Sequence, residues 1–370
     1  MQGRRTKVYL ERLVKEKKIP YMDILVQREH EPILRHFISL NGQATGKERL
    51  FLYSATKPMT VACALSLIEE GRLSLDDEVS KYLPAYANTF LEGGAPTKNK
   101  MTVRHLFTMS GGLSYNVNTP AVQKLLKETD GKADTVSLVQ AFVKEPLLFE
   151  PGERFEYSLC HDVLAAVVEV VAKKRFSEVM QERVFSPLGM SNTGFHTQND
   201  APMERQYLAD KSGKIVEIEC ENFLVLSETY DSGGAGAIGC VEDYAKFADA
   251  MACGGVGANG ARILKEETVA LMRSNTQGSA GVESTFTCVQ GEVYGYGLGV
   301  RTRKYATDWG LPVGEFGWDG AAGMYLLADP EHKISVVVGM HVRGWPYVIN
   351  GEHLRLTQCA YEDMKEEGLL

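Results

Sequence analysis

The chain lacks the features that would commit it to a special environment. Its seven cysteines are Cys63, Cys160, Cys220, Cys240, Cys253, Cys288 and Cys359. No two form a C-x-x-C pair and the count is odd, which excludes a disulfide framework or a zinc site of the usual spacing. Free thiols in a reducing compartment fit better. No run of 18 apolar residues occurs, so no transmembrane helix is expected. The N-terminal "MQGRRTKVYLERLVKEKKIPYM" is basic but lacks the apolar run of a signal peptide. Taken as the native start, it predicts a cytoplasmic protein. An excess of positive charge is also missing: 40 Lys+Arg stand against 48 Asp+Glu, a formal net charge of -8. An acidic surface repels phosphate, so nucleic acid is not an expected partner. No basic amphipathic segment points to a membrane surface.

Common catalytic signatures are absent as well. There is no G-x-S-x-G nucleophile elbow, no H-E-x-x-H and no P-loop. The eight histidines are scattered, and nothing in their spacing argues for a metal site. "GAGAIG", residues 234 to 239, does match G-x-G-x-x-G. A dinucleotide fingerprint, however, follows a buried strand directly within a strand–helix–strand unit. Here "SETYDSG" intervenes after "FLVL", and no second parallel strand follows. The stretch reads as a glycine-rich loop at a helix start.

What remains is an ordinary globular balance, 44% hydrophobic and 24% charged, in 370 residues, a length that suggests two domains. Val8, Leu10, Leu13 and Val14 suit one short amphipathic helix. Residues 22–40 read as two strands around a polar turn. Residues 55–70 read as a helix with Val61, Ala64, Leu65 and Ile68 on one face, Pro58 near its first turn and Gly71 as its cap. From about 80 to 285, helices are broken by loops. "YGYGLGV", "GMYLLAD" and "KISVVVGMHV" then read as strands, with a hairpin turn at "ADPEHK" and a terminal helix at "EHLRLTQCAYEDMKEE". The economical arrangement makes 1–80 and 286–370 one α/β domain, an antiparallel sheet with terminal helices. Residues 81–285 form an inserted, mainly helical domain.

"FLYSATKPMTVACALSLIEEGRLSLDD", residues 51 to 77, carries the chemistry. Ser54 stands three residues before Lys57 at the front of the helix. S-x-x-K alone is weak, with roughly one match expected by chance in a chain this long. The plain alternative is a capping serine and a solvated lysine. Yet i and i+3 side chains share a helix face, and free N–H groups at a helix start favour negative charge. A serine hydroxyl is a poor nucleophile at neutral pH and needs a base. Lysine serves only when neutral, so the site must disfavour its charge by roughly 4 kcal/mol, through burial or neighbouring cations.

Two more stretches matter. "FEPGERFEYSLCHDVLAAVVEVVA" sets Tyr157-Ser158-Leu159 before an apolar helix. "GEFGWDGAAGMYLLADPEHKISVVVGM" sets Trp318-Asp319-Gly320 at a strand. Alone, Tyr157 is a helix-start aromatic and Trp318 a packing residue. In this order with Ser54 and Lys57, they closely resemble the serine β-lactamase and penicillin-binding-protein superfamily. Within it the likeness is to class C β-lactamase-like esterases, the family VIII carboxylesterases. "SATKPMT", "GRLSLDDEVSKYLP", "MTVRHLFTMSGGL", "PLGMSNTGF", "SGGAGAIGCVEDYAKFADAM" and "YGYGLGV" extend the likeness over nearly the whole chain.

The resemblance implies an α+β fold of the β-lactamase/transpeptidase type, a mainly antiparallel sheet flanked by helices, with an inserted all-helical domain and the site in the groove between. It implies Ser54 as acyl-accepting nucleophile, Lys57 as acceptor of its proton, and Tyr157 as a further proton-transfer group. The N–H groups of Ser54 and Ala321 would form the oxyanion hole beside Trp318, Asp319 and Gly320. No cofactor or metal is implied. Two departures carry information. Leu159 replaces the amide of Y-x-N, and W-D-G replaces K-T-G, so the cation that holds a lactam's carboxylate is missing. Leu159 and Trp318 would instead line a pocket for apolar groups. Asp319 departs even from the W-G-G of the esterase branch and adds an unfavourable charge if it points into the site. The implied function is an esterase acting on small-molecule esters or amides through an acyl-enzyme. Alternatives are an acyltransferase using the same acyl-enzyme, a β-lactamase or D-amino-acid peptidase, and a non-catalytic binding protein that keeps the fold. Residues 114–135 and 196–230 are expected to shape the pocket. Nothing in the sequence indicates an oligomeric state.

Overall fold

Both ends of the chain build one sheet. The structure, a computed structural model, describes residues 1–42, 45–196, 203–210, 212–274, 293–344 and 351–370. The expected boundary near 285 and Cys288 lie outside these. Helix α1 (Arg4–Lys17) is followed by strands β1 (Tyr21–Arg28) and β2 (Glu31–Ser39), the hairpin expected over 22–40. Its two-residue turn, Glu29 and His30, has positive φ at both positions (49° and 75°), the twist that a tight hairpin requires. β1 is buried along almost its whole length, whereas β2 is half-exposed. Pro32, which cannot donate to a ladder, sits on β2, as expected of an edge strand.

A short strand β3 (Leu50–Phe51) leads into a 3-10 turn at Tyr53–Thr56 and helix α2 (Lys57–Glu69). Every residue from Lys57 to Leu65 is buried. The one-faced helix read from the sequence is therefore apolar all round because it is enclosed on all sides. Its end is as expected: Gly71 has φ 69°, its N–H reaches Ile68 O at 2.9 Å, and Arg72 N–H reaches Leu67 O at 3.0 Å. This pair of bonds stops a helix with a left-handed residue.

The middle segment is mainly helical, but not wholly so. Helix α3 (Cys160–Ala172) is its longest, and strand β4 (Gly194–Phe195) follows. A hairpin, Gln206–Ala209 with Ile215–Ile218, and strand β5 (Ala237–Gly239) come next, before helix α4 (Val241–Ala252). The all-helical expectation is corrected here because pieces of two to four residues are too short to show a period. "GAGAIG" is likewise only partly loop, since Ala237–Gly239 pairs with both β3 and β4.

The last third supplies β6 (Tyr294–Tyr296), β7 (Arg301–Arg303), β8 (Phe316–Asp319), β9 (Tyr325–Asp329) and β10 (Ile334–Gly339), then helix α5 (His353–Glu366). The main sheet runs β2-β1-β10-β9-β8-β7-β6, antiparallel at every step. One face packs on α1 and α5 through Leu10, Leu13, Ile24, Leu327, Val336 and Leu356. The other packs on α2 and α4 through Leu25, Val61, Phe316, Leu326 and Phe247. No described helix is long and apolar enough to cross a membrane.

The two terminal helices are tied by one carboxylate. α1 has no side-chain cap of its own. Asp363 of α5, 2% exposed, accepts from Arg5 N at 3.0 Å, Thr6 N at 2.9 Å and Thr6 Oγ1 at 2.8 Å. It thus caps a helix more than 350 residues away in sequence. Asp363→Ala removes that cap and leaves buried donors unmet, an expected loss of about 2 kcal/mol. Denaturant titration should show the lowered midpoint. An unchanged midpoint would contradict this role.

Candidate active site

Ser54 is reached through a strained residue. Tyr53 has φ 47°, unfavourable for a side chain other than glycine. Its ring is fully buried, and its hydroxyl bonds Gln206 Oε1 at 3.2 Å and Glu221 O at 3.1 Å. These contacts hold the backbone in that conformation. The following 3-10 turn matters, because i and i+3 side chains eclipse in that geometry. Lys57 Nζ accordingly lies 3.1 Å from Ser54 Oγ. Lys57 is fully buried and Ser54 is 7% exposed.

Tyr157 arrives from the other side of the cleft, just before α3. The backbone there is fixed by Glu156 N–H to Met109 O at 2.8 Å and Leu159 N–H to Ser114 O at 3.3 Å. The Tyr157 hydroxyl donates to Ser54 Oγ at 2.6 Å. Its ring stacks between two others: Tyr115 at 5.3 Å between centroids and Trp318 at 5.6 Å. Lys57 Nζ stands over the Tyr157 ring at 4.7 Å. It also donates to the Tyr115 hydroxyl at 3.3 Å and to Gly234 O at 2.7 Å. Burial holds the Tyr115 hydroxyl well above its ordinary pKa. His161, buried near Lys57, is pushed down to about 3, first by burial and then by the Lys57 charge. It carries no charge at neutral pH.

Strand alternation splits the third motif between two faces of the sheet. Trp318 faces α2. It is fully buried, packs edge-on to Tyr296 at 5.3 Å and donates from Nε1 to the Tyr157 hydroxyl at 3.4 Å. Asp319 faces the opposite way, in register with Tyr325, toward α5. The charge that would have opposed an anionic substrate therefore points away from the cleft. Arg301 Nη1 meets Asp319 Oδ2 at 3.4 Å, and Arg301 Nη2 lies 3.8 Å from Glu315 Oε1. His353 completes the cluster, with Nδ1 3.9 Å from Asp319 Oδ1. Gly320 comes next, where a Cβ would lie 2.2 Å from Leu52 O. Only glycine permits this approach, which brings the Gly320–Gly323 turn against the backbone just before Ser54. Ala321 is exposed at that turn. Among the described residues its N–H meets no acceptor, leaving it available to an incoming oxygen.

Leu159, expected in the pocket wall with Trp318, is 3% exposed at the start of α3. Both contribute packing rather than open surface. Cys220, Glu221, Asn222, Val225, Glu228 and Thr229, within one of the stretches expected to shape the pocket, line a cavity of about 690 Å³ with Phe51 and Ile238, but Ser54, Lys57 and Tyr157 are not part of its lining. Three residues at the centre have no catalytic signature of their own in the sequence: Tyr115, within the stretch 114–135, Gly234, the first glycine of "GAGAIG", and Asp162; their contacts here span 58 to 177 residues. Among the described residues one group offers metal-ligand atoms together, His30, Asp249 and Cys253 within 4.8 Å. It lies at the β1–β2 turn, not in this cleft. Its carboxylate already accepts from His30 N at 3.2 Å and pairs with Nδ1 at 2.8 Å. Chemically, the cleft unites a hydroxyl, an amine, two phenols and an available N–H: the parts of an acyl-transfer site.

The Beta-lactamase family model matches residues 8–357. Protein Rv1367c of Mycobacterium tuberculosis is 29% identical over 311 residues, 78% of this chain and 77% of that protein. Esterase EstB of Burkholderia gladioli is 26% identical over 379 residues, 95% of this chain and 89% of that protein. Among solved structures, EstCE1, described as a hydrolase with promiscuous acyltransferase activity, superposes with a TM-score of 0.80 at 26% identity. That match covers 97% of this chain and 98% of the other.

The buried cluster behind the site has a pH signature. Burial pushes the Glu315 carboxyl from 4.5 up to about 7, against the pull of Arg301. A carboxyl that binds its proton more tightly when folded makes stability fall as pH rises between its unfolded and folded pKa values. Glu315→Gln has no such ionisation. The native protein should therefore lose stability relative to Glu315→Gln as pH rises from about 4.5 to about 7. Denaturation midpoints that run parallel over that range would contradict this.

Proposed function

The chain belongs to the beta-lactamase family, and on that premise we propose that it is a serine hydrolase cleaving small to medium carboxylic esters through an acyl-enzyme on Ser54. What carries the reading is the position of Ser54 Oγ, within hydrogen-bond distance of both Lys57 Nζ (3.1 Å) and the Tyr157 hydroxyl (2.6 Å). Lys57 takes the Ser54 proton as Oγ bonds to the ester carbonyl carbon. The oxyanion that forms accepts from the N–H groups of Ser54 and Ala321, an interaction typically worth about 10²–10³ in rate per donor. Tyr157 protonates the departing alkoxide and is reprotonated from Lys57. Water then adds to the acyl carbon with the same groups acting in reverse, returning Ser54 and releasing the acid.

The electrostatics favour an uncharged ester. Trp318 stands where a lactam-binding lysine would be, and Arg301, on the neighbouring strand, is committed to Asp319 and Glu315 behind the sheet. A substrate carboxylate finds no partner in the third motif. A second reading, acyl transfer to an alcohol, has one specific support, the promiscuous acyltransferase activity given for EstCE1. It requires only that an alcohol replace water at the acyl-enzyme.

Hydrolysis of p-nitrophenyl butyrate tests the proposal. Ser54→Ala should abolish turnover, and Tyr157→Phe should lower kcat by about 10²-fold, the scale of a lost proton-transfer group. Full activity in Ser54→Ala would overturn the reading. Added alcohols separate the two outcomes, since ester product in place of acid marks acyl transfer.

A further inference from the structure

We infer that Asp162 is a positioning residue for Lys57, acting through the glycine-rich loop 230–236. This rests on the acyl-enzyme reading above. Asp162 lies five residues after Tyr157, in the first turn of α3, and is 2% exposed. It contacts neither Ser54 nor an open surface. One oxygen, Oδ1, gathers three donors from the loop: Tyr230 OH at 2.7 Å, Ser232 Oγ at 2.6 Å and Gly234 N at 3.3 Å. The carbonyl of that same Gly234 accepts from Lys57 Nζ at 2.7 Å.

The consequence follows from the donor inventory. A carbonyl oxygen can only accept, so Gly234 O always holds an N–H of the amine. A neutral amine has two N–H groups and one lone pair. With one N–H directed at Gly234, rotation about the Cε–Nζ bond is restricted to two settings, and one of them presents the lone pair to Ser54 Oγ at 3.1 Å. The carboxylate thus sets the orientation of the base through one residue, Gly234, whose N–H it accepts and whose carbonyl holds the amine. The loop is also held by α2 and the turn before it: Thr60 Oγ1 donates to Gly233 O at 2.7 Å, and just beyond the loop Ala237 N–H donates to Thr56 Oγ1 at 3.1 Å. This explains the first glycine of "GAGAIG". A Cβ at Gly234 would lie 2.4 Å from Asp162 Oδ2, so a side chain there would push the loop off its anchor. The glycine serves close approach to a carboxylate, not to a phosphate.

Misplacing a reacting group by about 1 Å can cost about 10²-fold in rate. Asp162→Asn should therefore lower kcat on p-nitrophenyl butyrate by about ten- to a hundredfold, with KM within about threefold. It should slow labelling of Ser54 by a fluorophosphonate to the same degree. Ser232→Ala keeps the carboxylate and two of its three donors, so it should show a smaller loss in the same direction. A purely structural role would lower thermal stability and leave kcat and labelling rate of the folded fraction unchanged. If Asp162→Asn, folded by circular dichroism, keeps kcat and labelling rate within about twofold of the native protein, the inference is wrong. If it does not fold, the double variant Tyr230→Phe/Ser232→Ala decides by the same criterion. A native protein that the phosphonate does not label overturns the acyl-enzyme reading itself.

Discussion

The site depends on one amine kept out of water beside one hydroxyl. Lys57 Nζ is surrounded by Ser54 Oγ, the Tyr115 hydroxyl, Gly234 O and the faces of two tyrosine rings. Each of these comes from a different part of the chain. Ser54 and Lys57 come from the turn that opens α2. Tyr115 comes from the loop that also fixes Leu159, and Gly234 from the loop before β5. Enclosing α2 on all sides is what makes this assembly possible, because a half-exposed helix would leave the amine solvated. The apolar sequence of α2 after Lys57 is thus a condition of the chemistry as well as of the core.

The strand β8 divides its work between two faces. Trp318 supports Tyr157 on the cleft side. Asp319 joins Arg301, Glu315 and His353 on the side of α5. Such a buried group of charges is costly unless paired, and here one guanidinium serves two carboxyls. The cost is borne behind the sheet, away from the substrate, so the cleft itself stays free of fixed negative charge from this motif. The turn from Gly320 to Gly323 follows directly, which ties the placement of the Ala321 N–H to the strand that carries both residues.

Much of this was legible in the sequence, and the limits have physical causes. Ser54 and Lys57 were legible through their three-residue spacing at a helix start, whereas Tyr157 stood out only through the resemblance of the three motifs taken in order. The β1–β2 hairpin and the terminal helices showed through periodicity. Strands of two to four residues did not, because no period fits into them. The side to which Asp319 points follows from strand register, which a single sequence does not contain. Leu159 and Trp318 were apolar enough for a pocket wall, yet apolar residues next to a cleft are equally suited to hold its walls in place. Tyr115 and Asp162 act through contacts made across 58 and 72 residues, and nothing local distinguishes them from loop and helix residues elsewhere.

The most direct test of the central claim is to map covalent labelling. The protein is treated with a fluorophosphonate, residual esterase activity is followed, and the modified peptide is identified by mass. The account predicts one label per chain, on Ser54, rising in step with loss of activity. A label on any other residue, or full labelling of Ser54 with activity retained, would contradict it.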